Sequence, residues 1–397
     1  MRSLLNRVLV ALALGHFIID LNANLLPVML PFLRDSLGLS YGQTGLIMAF
    51  YSTTSSLAQP IFGYLSDRIG GRKLLVLPVV WMVVFMGAAG SAPTYASLIA
   101  LVTLAGVGSA AFHPQGAANA RRVASGRSAA TAVSVFSLGG IAGYSLGPMA
   151  GAATFTALGL RGTAAFVPVG LLFALVIALS LSGFGQPGQA RPRRSSAVAR
   201  PPVAALTLVS LLFVVVTRGW VEYGAVAYTP LRFPGELVRS SQLLFVFLFG
   251  EAVGTFAGAV AADRVGRRRV VVATCLLLAP AMHLYNSLDG PALFAAAALA
   301  GLLLGSSVPV TIVMAQELLP RNVGMASGLM MGFAFGLAGL GVALNGVIAD
   351  HYGLATSLAL LAALPIAGAT LAATFPASVE GQSRRAPDLA PPAAAGG

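Results

Sequence analysis

Three polar side chains recur at four-residue spacing near the start of the chain. His16, Asp20 and Asn24 lie in a long apolar run, and this spacing places them on one face of a helix. Ionisable groups inside hydrocarbon are costly and usually serve a function. A carboxyl group such as Asp20 can bind or release a proton there. Two interpretations stay open: Asp20 joins helices through a hydrogen bond, or it handles a proton or a substrate.

A second polar group, His113-Pro114-Gln115, interrupts another apolar run. Imidazole titrates close to physiological pH, and a proline inside a helix leaves one backbone carbonyl without its usual donor. We predict that His113 and Gln115 contact a substrate or a proton, together with Gln59 from an earlier run. A purely structural histidine is the alternative.

A third group belongs to the second half of the chain. Arg218 and Glu222 are four residues apart, with Trp220 between them, and Glu251 lies in the next apolar run. The first two side chains can pair on one helical face, which lowers the cost of both charges in lipid. They form either an internal ion pair or a site for protons or a substrate anion, since Arg binds oxyanions in bidentate fashion.

The elements that position these groups are long apolar segments. Hydrophobic residues make up 57% of the 397 residues and charged residues only 9%, against about 25% charged in soluble domains. The apolar runs are continuous and long enough to cross a bilayer, which predicts membrane helices. The only cysteine, Cys275, lies in one of them, so an intramolecular disulfide is excluded.

The predicted fold class is an all-α membrane protein with twelve transmembrane helices in two pseudo-symmetric six-helix bundles. Residues 1–184 form the first bundle and 203–376 the second. Residues 185–202 form a cytoplasmic linker and 377–397 a disordered tail, because both stretches are rich in Pro, Gly, Ala or Ser. The predicted spans are 8–33, 42–65, 74–92, 95–119, 128–154, 162–184, 203–230, 240–262, 270–288, 291–316, 322–349 and 354–376.

The positive charges indicate how the chain is oriented. Most of the 24 Lys and Arg fall at the ends and in every second loop, which is the positive-inside pattern. Both termini are therefore expected in the cytoplasm. The net charge of +12 is accounted for by these loops, and no nucleic-acid partner is expected.

A charged turn between the second and third spans recurs about half a chain later, which indicates two similar halves. Asp-Arg followed by Gly and further Arg can join helix ends through carboxylate–guanidinium pairs. We predict a conformational latch, and the alternative is a solvated run of charge that orders the topology. The latch residues are Gly63, Asp67, Arg68, Gly70, Arg72, Asp263, Arg264, Gly266 and Arg268.

Glycines recur every four residues in spans five and eleven. The first row is Gly139, Gly143, Gly147 and Gly151, with Pro148 beside it, and the second is Gly324, Gly328, Gly332 and Gly336. Such rows allow close approach of membrane helices. They serve either static packing or a sliding contact between moving parts.

The chain resembles the major facilitator superfamily at several of these motifs. The Gly63–Lys73 turn is similar to the family's loop 2–3 signature, and Gly143–Gly151 is similar to the span-five motif of antiporters. The fosmidomycin-resistance branch matches more closely, over about residues 12–376. The residues that carry this match are Gly15-His16-Phe17 with Asp20, Gln59-Pro60, Phe112-His113-Pro114, Ala315–Pro320 and Ile348–His351.

This resemblance implies an inner-membrane exporter of small drugs, driven by protons. Members of the branch commonly have an acid after His-Pro, where this chain has Gln115. The resemblance therefore implies that Asp20, Glu222 or Glu251 carries the proton here.

The sequence thus predicts a monomeric, proton-coupled antiporter that exports small molecules by alternating access. An uptake symporter or facilitator for a small metabolite is the alternative on the same fold. A polytopic enzyme or sensor is the remote one. No phosphate-binding loop, zinc motif or nucleophile elbow occurs, so we expect neither an enzyme nor a metal or organic cofactor, and the proton gradient is the expected energy source.

Overall fold

The computed structural model describes residues 7–63, 73–123, 129–181, 202–319 and 323–375. The regular structure in these ranges is entirely helical. The helices are α1 (Arg7–Ala23 and Leu25–Leu37), α2 (Tyr41–Leu57, continued by residues 59–63), α3 (Lys73–Ala89), α4 (Tyr95–Val123), α5 (Ala129–Leu158), α6 (a 3-10 segment, Leu160–Ala165, then Phe166–Ser180), α7 (Pro202–Arg232), α8 (Leu237–Val265), α9 (Arg267–Ser287), α10 (Gly290–Ser306 and Val308–Leu318), α11 (Val323–Gly328, a π segment Leu329–Phe333, then Ala334–Tyr352) and α12 (Leu354–Ala372).

Prolines account for three of the interruptions. A proline cannot donate a backbone hydrogen bond, and its ring crowds the carbonyl four residues earlier. Pro27, Pro60 and Pro309 each follow a break by two or three residues, at Asn24 in α1, at Ala58 in α2 and at Ser307 in α10. The break at Asn24 matters for the site, because it lies one turn beyond Asp20.

The helices have the length and hydropathy of membrane spans. Within the described ranges, ten are long and apolar enough to cross a bilayer, and Leu75–Ala89 is a shorter apolar helix. The unbroken part of the remaining helix, α2, is 17 residues long. It carries hydroxyl side chains at every position from Ser52 to Ser56. The predicted all-α membrane fold with twelve helices is confirmed.

The two halves of the chain pack in the same way. In the first half α1 lies against α5, α3 against α4 and α3 against α6. In the second half the equivalent pairs are α7 with α11, α9 with α10 and α9 with α12. The halves meet through two exchanged pairs, α2 with α11 and α5 with α8. This exchange is the pattern expected of two six-helix halves related by an approximate two-fold axis.

Specific contacts between the halves lie at one end of the molecule. We call the end that carries Arg264 and Arg267–Arg269 the basic end, and the opposite end the Asp350 end. At the Asp350 end, the Asp350 carboxylate of α11 accepts hydrogen bonds from the backbone N–H groups of Tyr41 and Gly42 in α2, at 2.7 and 2.8 Å. Its negative charge lies at the N-terminus of α2, where the helix dipole favours it. Near the basic end of the same two helices, a Cβ at Gly63 or at Gly328 would meet no atom of the described residues within 4 Å.

The phenol of Tyr228 adds to these contacts between the halves at the Asp350 end, which together we call the seal. The Tyr228 hydroxyl of α7 donates to the carbonyl of Val342 at 2.8 Å and lies 3.4 Å from the carbonyl of Tyr41. A Cβ at Gly45 or at Gly346 would come within 2.6 Å of that hydroxyl oxygen. Both glycines therefore provide the space in which α2, α7 and α11 meet.

The two predicted glycine rows have different partners. Gly139, Gly143 and Gly147 lie against the backbone of α1, in their own half, where any Cβ would collide with a carbonyl oxygen. Gly332 and Gly336 of α11 face Ser56 and Leu57 of α2 in the other half. The α5 row thus packs helices inside one half, whereas the α11 row lies at the contact between halves.

A further glycine pattern joins α8 to α10. Gly250, Gly254 and Gly258 lie on the backbone of α10, and Gly301 and Gly305 lie on the backbone of α8. The two helices interlock with no side chain between them over this stretch. This interlock fixes the position of Glu251, whose own backbone contacts both glycines of α10.

Several predicted features lie outside the described residues. These are Asp67, Arg68, Gly70 and Arg72 of the first charged turn, residues 185–201 of the linker, and the tail 377–397. Cys275, in α9, is buried.

Candidate functional site

Three ionisable side chains meet in the first half. The Asp20 carboxylate lies between two imidazoles, with Oδ2 3.2 Å from Nε2 of His16 and Oδ1 3.1 Å from Nε2 of His113. His16 and Asp20 are one turn apart on α1, and His113 comes from α4. We refer to these three residues as the triad.

Backbone carbonyls hold both imidazoles in place. Nδ1 of His16 lies 2.9 Å from the carbonyl of Phe136, and its ring stacks on the Phe136 ring with centroids 4.2 Å apart. Gly140 of α5 makes room for this ring, because a Cβ there would occupy the ring's position. Nδ1 of His113 lies 2.8 Å from the carbonyl of Ser109.

These contacts determine what the triad does with protons. A carbonyl only accepts, so each imidazole carries hydrogen on Nδ1 and, when neutral, presents a bare Nε2 to the carboxylate. With no further proton the triad has charge −1, and the bare Nε2 atoms of the two imidazoles face the two carboxylate oxygens, which are also acceptors. One added proton makes the triad neutral and forms one hydrogen bond; a second makes it +1 and forms both. The geometry is therefore that of a site for one or two exchangeable protons.

The Nε2 atoms and a carboxylate oxygen also lie within 4.8 Å of one another, which is close enough for a small cation. Each Nε2, however, points at its own carboxylate oxygen rather than at a shared centre. That arrangement is one of separate hydrogen bonds, which suits protons.

The second half contains its own ionisable cluster. Nη1 of Arg218 lies 3.6 Å from Oε2 of Glu222, and the two side chains are only 3% and 5% exposed. The guanidinium lies over the ring of Phe335, 5.2 Å from its centroid. Glu251 of α8 is within electrostatic reach of both Arg218 and Glu222. One guanidinium thus faces two carboxyl groups, and the cluster is neutral when one of them holds a proton.

Tyr144 of α5 connects the two halves at this level. Its hydroxyl donates to Oε1 of Glu222 in α7, at 3.0 Å. Its side chain also lines both of the cavities described next. Tyr144 therefore lies between the triad and the Glu222 carboxylate.

The larger cavity, of about 310 Å³, lies between the halves and is bordered by α1, α2, α4, α5, α7 and α11. Asp20 and His113 line it from the first half, and Glu222 and Phe335 from the second. Hydroxyls of α2, among them Ser52 and Ser55, line it as well. Its size and mixed polar and aromatic walls fit a small organic molecule. We call it the main cavity.

The smaller cavity, of about 220 Å³, lies between α1, α5 and α8. It shares Asp20 and Tyr144 with the main cavity and adds His16 and Glu251. We call it the second cavity.

The remaining predicted site residues divide into two groups. Asn24 and Gln59 line the main cavity, where Asn24 donates to the carbonyl of Asp20. Gln115 donates to the carbonyl of Phe62 and Trp220 donates to Asn345, and neither lines either cavity. Arg218 is likewise outside both cavity walls and reaches the main cavity only through Glu222 and Phe335.

The second charged turn is described in full, and its contacts differ from the predicted pairing. Asp263 and Arg264 are exposed, and Gly266 takes a positive φ of 97° between α8 and α9. Arg268 donates to the carbonyl of Ala373. Among the described residues, the ion pair at this turn joins Arg267 to Glu317 at the end of α10, two residues that were not predicted to pair.

Sequence reasoning missed two residues of the site and assigned no role to a third. It placed His16 on the same helical face as Asp20 but predicted no contact between them. Tyr144 and Ser145 carry no local signal, because their importance comes from neighbours in α7 and α8.

Comparison with known proteins agrees with this architecture. The family model described as Major Facilitator Superfamily matches residues 12–239 and 238–394. The chain is 30% identical to the fosmidomycin resistance protein of Escherichia coli (strain K12) over 373 residues, which is 91% of each chain. It is also 30% identical over 375 residues, again 91% of each chain, to YfnC of Bacillus subtilis (strain 168), an uncharacterized transporter of the same superfamily.

Solved structures share the fold. A bacterial homolog of the human lysosomal transporter Spinster, in an inward-facing and occupied conformation, matches with a TM-score of 0.78 at 16% identity. The match covers 95% of this chain and 98% of that one. The resemblance drawn from the sequence motifs is thereby confirmed, and the matched family is one of transporters rather than enzymes. This multi-pass membrane protein belongs to the Major Facilitator Superfamily.

Proposed function

We propose that this transporter exports small drug-like molecules of the fosmidomycin type in exchange for protons. The observation that carries the proposal is the Asp20 carboxylate, held between two imidazoles on the wall of the main cavity. The identity with a fosmidomycin resistance protein over most of both chains supports the class of substrate and the direction.

The exchange follows from competition at Asp20. A substrate hydroxyl or amide that donates to Oδ1 takes the place of the His113 Nε2–H donor. His113 can then lose that proton without leaving the carboxylate unbonded. Conversely, a triad that holds two protons has charge +1 and both carboxylate oxygens already accept from an imidazole, so it binds a substrate donor more weakly. Binding of substrate therefore favours release of a proton, and binding of a proton favours release of the substrate, as an antiporter requires.

Alternating access uses the contacts at the two ends. In this scheme the contacts at the Asp350 end close the main cavity on that side, and substrate reaches it from the basic end. The positive-inside rule places that end in the cytoplasm, and hence also both termini, in the inner membrane. Substrate enters from there, and rocking of the halves exposes it on the other side. The protein acts as a monomer in this scheme, since both halves of the cavity come from one chain.

The test uses purified protein in liposomes with fosmidomycin as the substrate and a pH-sensitive dye inside. Fosmidomycin that leaves the liposomes should acidify their lumen, because protons enter in exchange for the drug. An imposed inward proton gradient should drive this export. Fosmidomycin accumulation together with protons would instead establish the uptake symporter. Transport that ignores the gradient would remove proton coupling altogether.

A further inference from the structure

The second cavity contains two polar atoms that lack partners. Oγ of Ser145 and Oε2 of Glu251 are buried, and neither has a hydrogen-bond partner within the described part of the chain. Both residues line this cavity. Because buried polar groups are nearly always satisfied, the cavity is where partners for these two atoms are expected.

Water fits this space better than a substrate. A water molecule takes about 30 Å³ in the liquid, so a cavity of about 220 Å³ has room for several. Its walls offer hydroxyls at Ser137, Ser145 and Thr255, of which Thr255 already donates to the carbonyl of Glu251. Waters there would each find the two to four polar partners that a buried water needs.

The cavity also connects opposite charges. The triad on its α1 side has charge +1 when it holds two protons. On its α8 side, Glu251 shares the single cation Arg218 with Glu222, so this cluster has charge −1 when both carboxyls are ionised. Transfer of one proton across the cavity makes both clusters neutral.

We propose that the second cavity is a proton path between the halves, with Glu251 as a proton-binding residue separate from the substrate cavity. The proton that substrate displaces from His113 passes to the Asp20 carboxylate and on to His16, which lines this cavity and releases one proton, so that the charge of the triad falls from +1 to 0. It crosses the waters beside Ser145 and binds Glu251, which changes from a carboxylate to a neutral acid. The inference rests on the proposed proton coupling, and it adds where the proton goes when substrate occupies the main cavity.

The groups that face Glu251 are consistent with this role. His16 and Asp20 lie across the cavity on α1, and Tyr144 lies on α5. Arg218 and Glu222 act on it from α7. From α10, the backbone at Gly301 and Gly305 packs against the backbone of Glu251. With Glu222 and Arg218 beside it, Glu251 can be a neutral acid in one state and a carboxylate in the other.

The experiment compares Glu251→Gln with Glu236→Gln, a matched carboxyl-to-amide change at the residue that precedes the same helix. Glu236 is exposed at the start of α8, where it pairs with Arg239. Each variant is purified, checked for monodisperse elution, and tested for fosmidomycin binding in detergent. It is then tested for fosmidomycin-driven proton movement in liposomes. Glu251→Gln should bind fosmidomycin within about twofold of the unmodified protein while proton movement falls at least tenfold, and Glu236→Gln should keep both.

A second readout does not depend on the substrate. Infrared difference spectra of the reconstituted protein between acidic and alkaline pH should contain a protonated-carboxyl band that is lost in Glu251→Gln and kept in Glu236→Gln. Unchanged proton movement and an unchanged band in Glu251→Gln would overturn the inference. An equal loss of binding and proton movement would make Glu251 a substrate ligand and overturn it as well. If the unmodified protein moves fosmidomycin without protons, the proposed function itself fails, which is a different result.

Discussion

Replacing Asp350 should loosen the seal between the halves. Its carboxylate accepts two backbone hydrogen bonds from the start of α2, at 2.7 and 2.8 Å, and thereby joins the end of α11 to the other half. Losing a helix-capping carboxylate costs about 0.5–2 kcal/mol. Because Asp350 accepts two short charge-assisted hydrogen bonds rather than one, we take about 1–2 kcal/mol for Asp350→Ala, which corresponds to a factor of about 5–30 in the ratio of the two end states.

The assay measures access from the Asp350 end. A cysteine introduced at Met48, a buried residue about two turns inside the seal on α2, lines the main cavity. In intact cells, a membrane-impermeant maleimide should label Met48→Cys about 5–30 times faster when Asp350→Ala is also present. Asp350→Asn, which keeps one acceptor oxygen without the charge, should give an intermediate rate.

The matched control is Asp289→Ala. Asp289 is also an exposed carboxylate at the Asp350 end, but it forms an ion pair with Arg239 in its own half. The control should label at the unmodified rate. If Asp350→Ala and Asp289→Ala label equally fast, Asp350 does not hold the halves together, and the reasoning is refuted.

Three further predictions concern the charges and the packing. Asp20→Asn should abolish fosmidomycin resistance at normal expression, because an amide cannot accept from both imidazoles; a resistant strain would remove Asp20 from the mechanism. Arg218→Ala should weaken anionic substrates more than neutral ones and should destabilise the protein by about 3–5 kcal/mol through the unpaired Glu222, with stability restored by Arg218→Ala/Glu222→Gln in thermal unfolding. Equal losses for both kinds of substrate would leave only a structural ion pair. Gly305→Ala should lower the unfolding temperature, because its Cβ would collide with the backbone of α8, whereas Gly328→Ala, which meets open space, should not; equal melting points would contradict the α8–α10 interlock.

The sequence was informative where a single helix carries the information. Asp20 and the Arg218–Glu222 pair could be found because a charge in an apolar run is conspicuous and a spacing of four defines a face. The pairing of Asp20 with His113 needed α1 and α4 to be placed side by side, which local pattern cannot do. His16 was underrated for a related reason: its partner carbonyl, at Phe136, belongs to α5.

The second cavity and its role were beyond sequence reasoning. It exists because Gly140 admits the His16 ring and because α5 meets α8 from the other half. Likewise, a row of glycines indicates close approach but not the partner. The α5 row packs on its own half and the α11 row on the opposite one, although the two rows have the same spacing.

The π segment of α11, Leu329–Phe333, has a mechanical consequence. A π turn holds one residue more per ring than an α turn, and one residue of an α-helix corresponds to about 100° of rotation. Converting this turn to regular α-helix would therefore rotate the segment from Val323 to Gly328 about the helix axis and lengthen the helix by about 1.5 Å. Met331, which lines the main cavity, lies inside the turn. A molecule bound in the main cavity would therefore contact the same turn whose hydrogen-bonding pattern sets the rotation and length of α11.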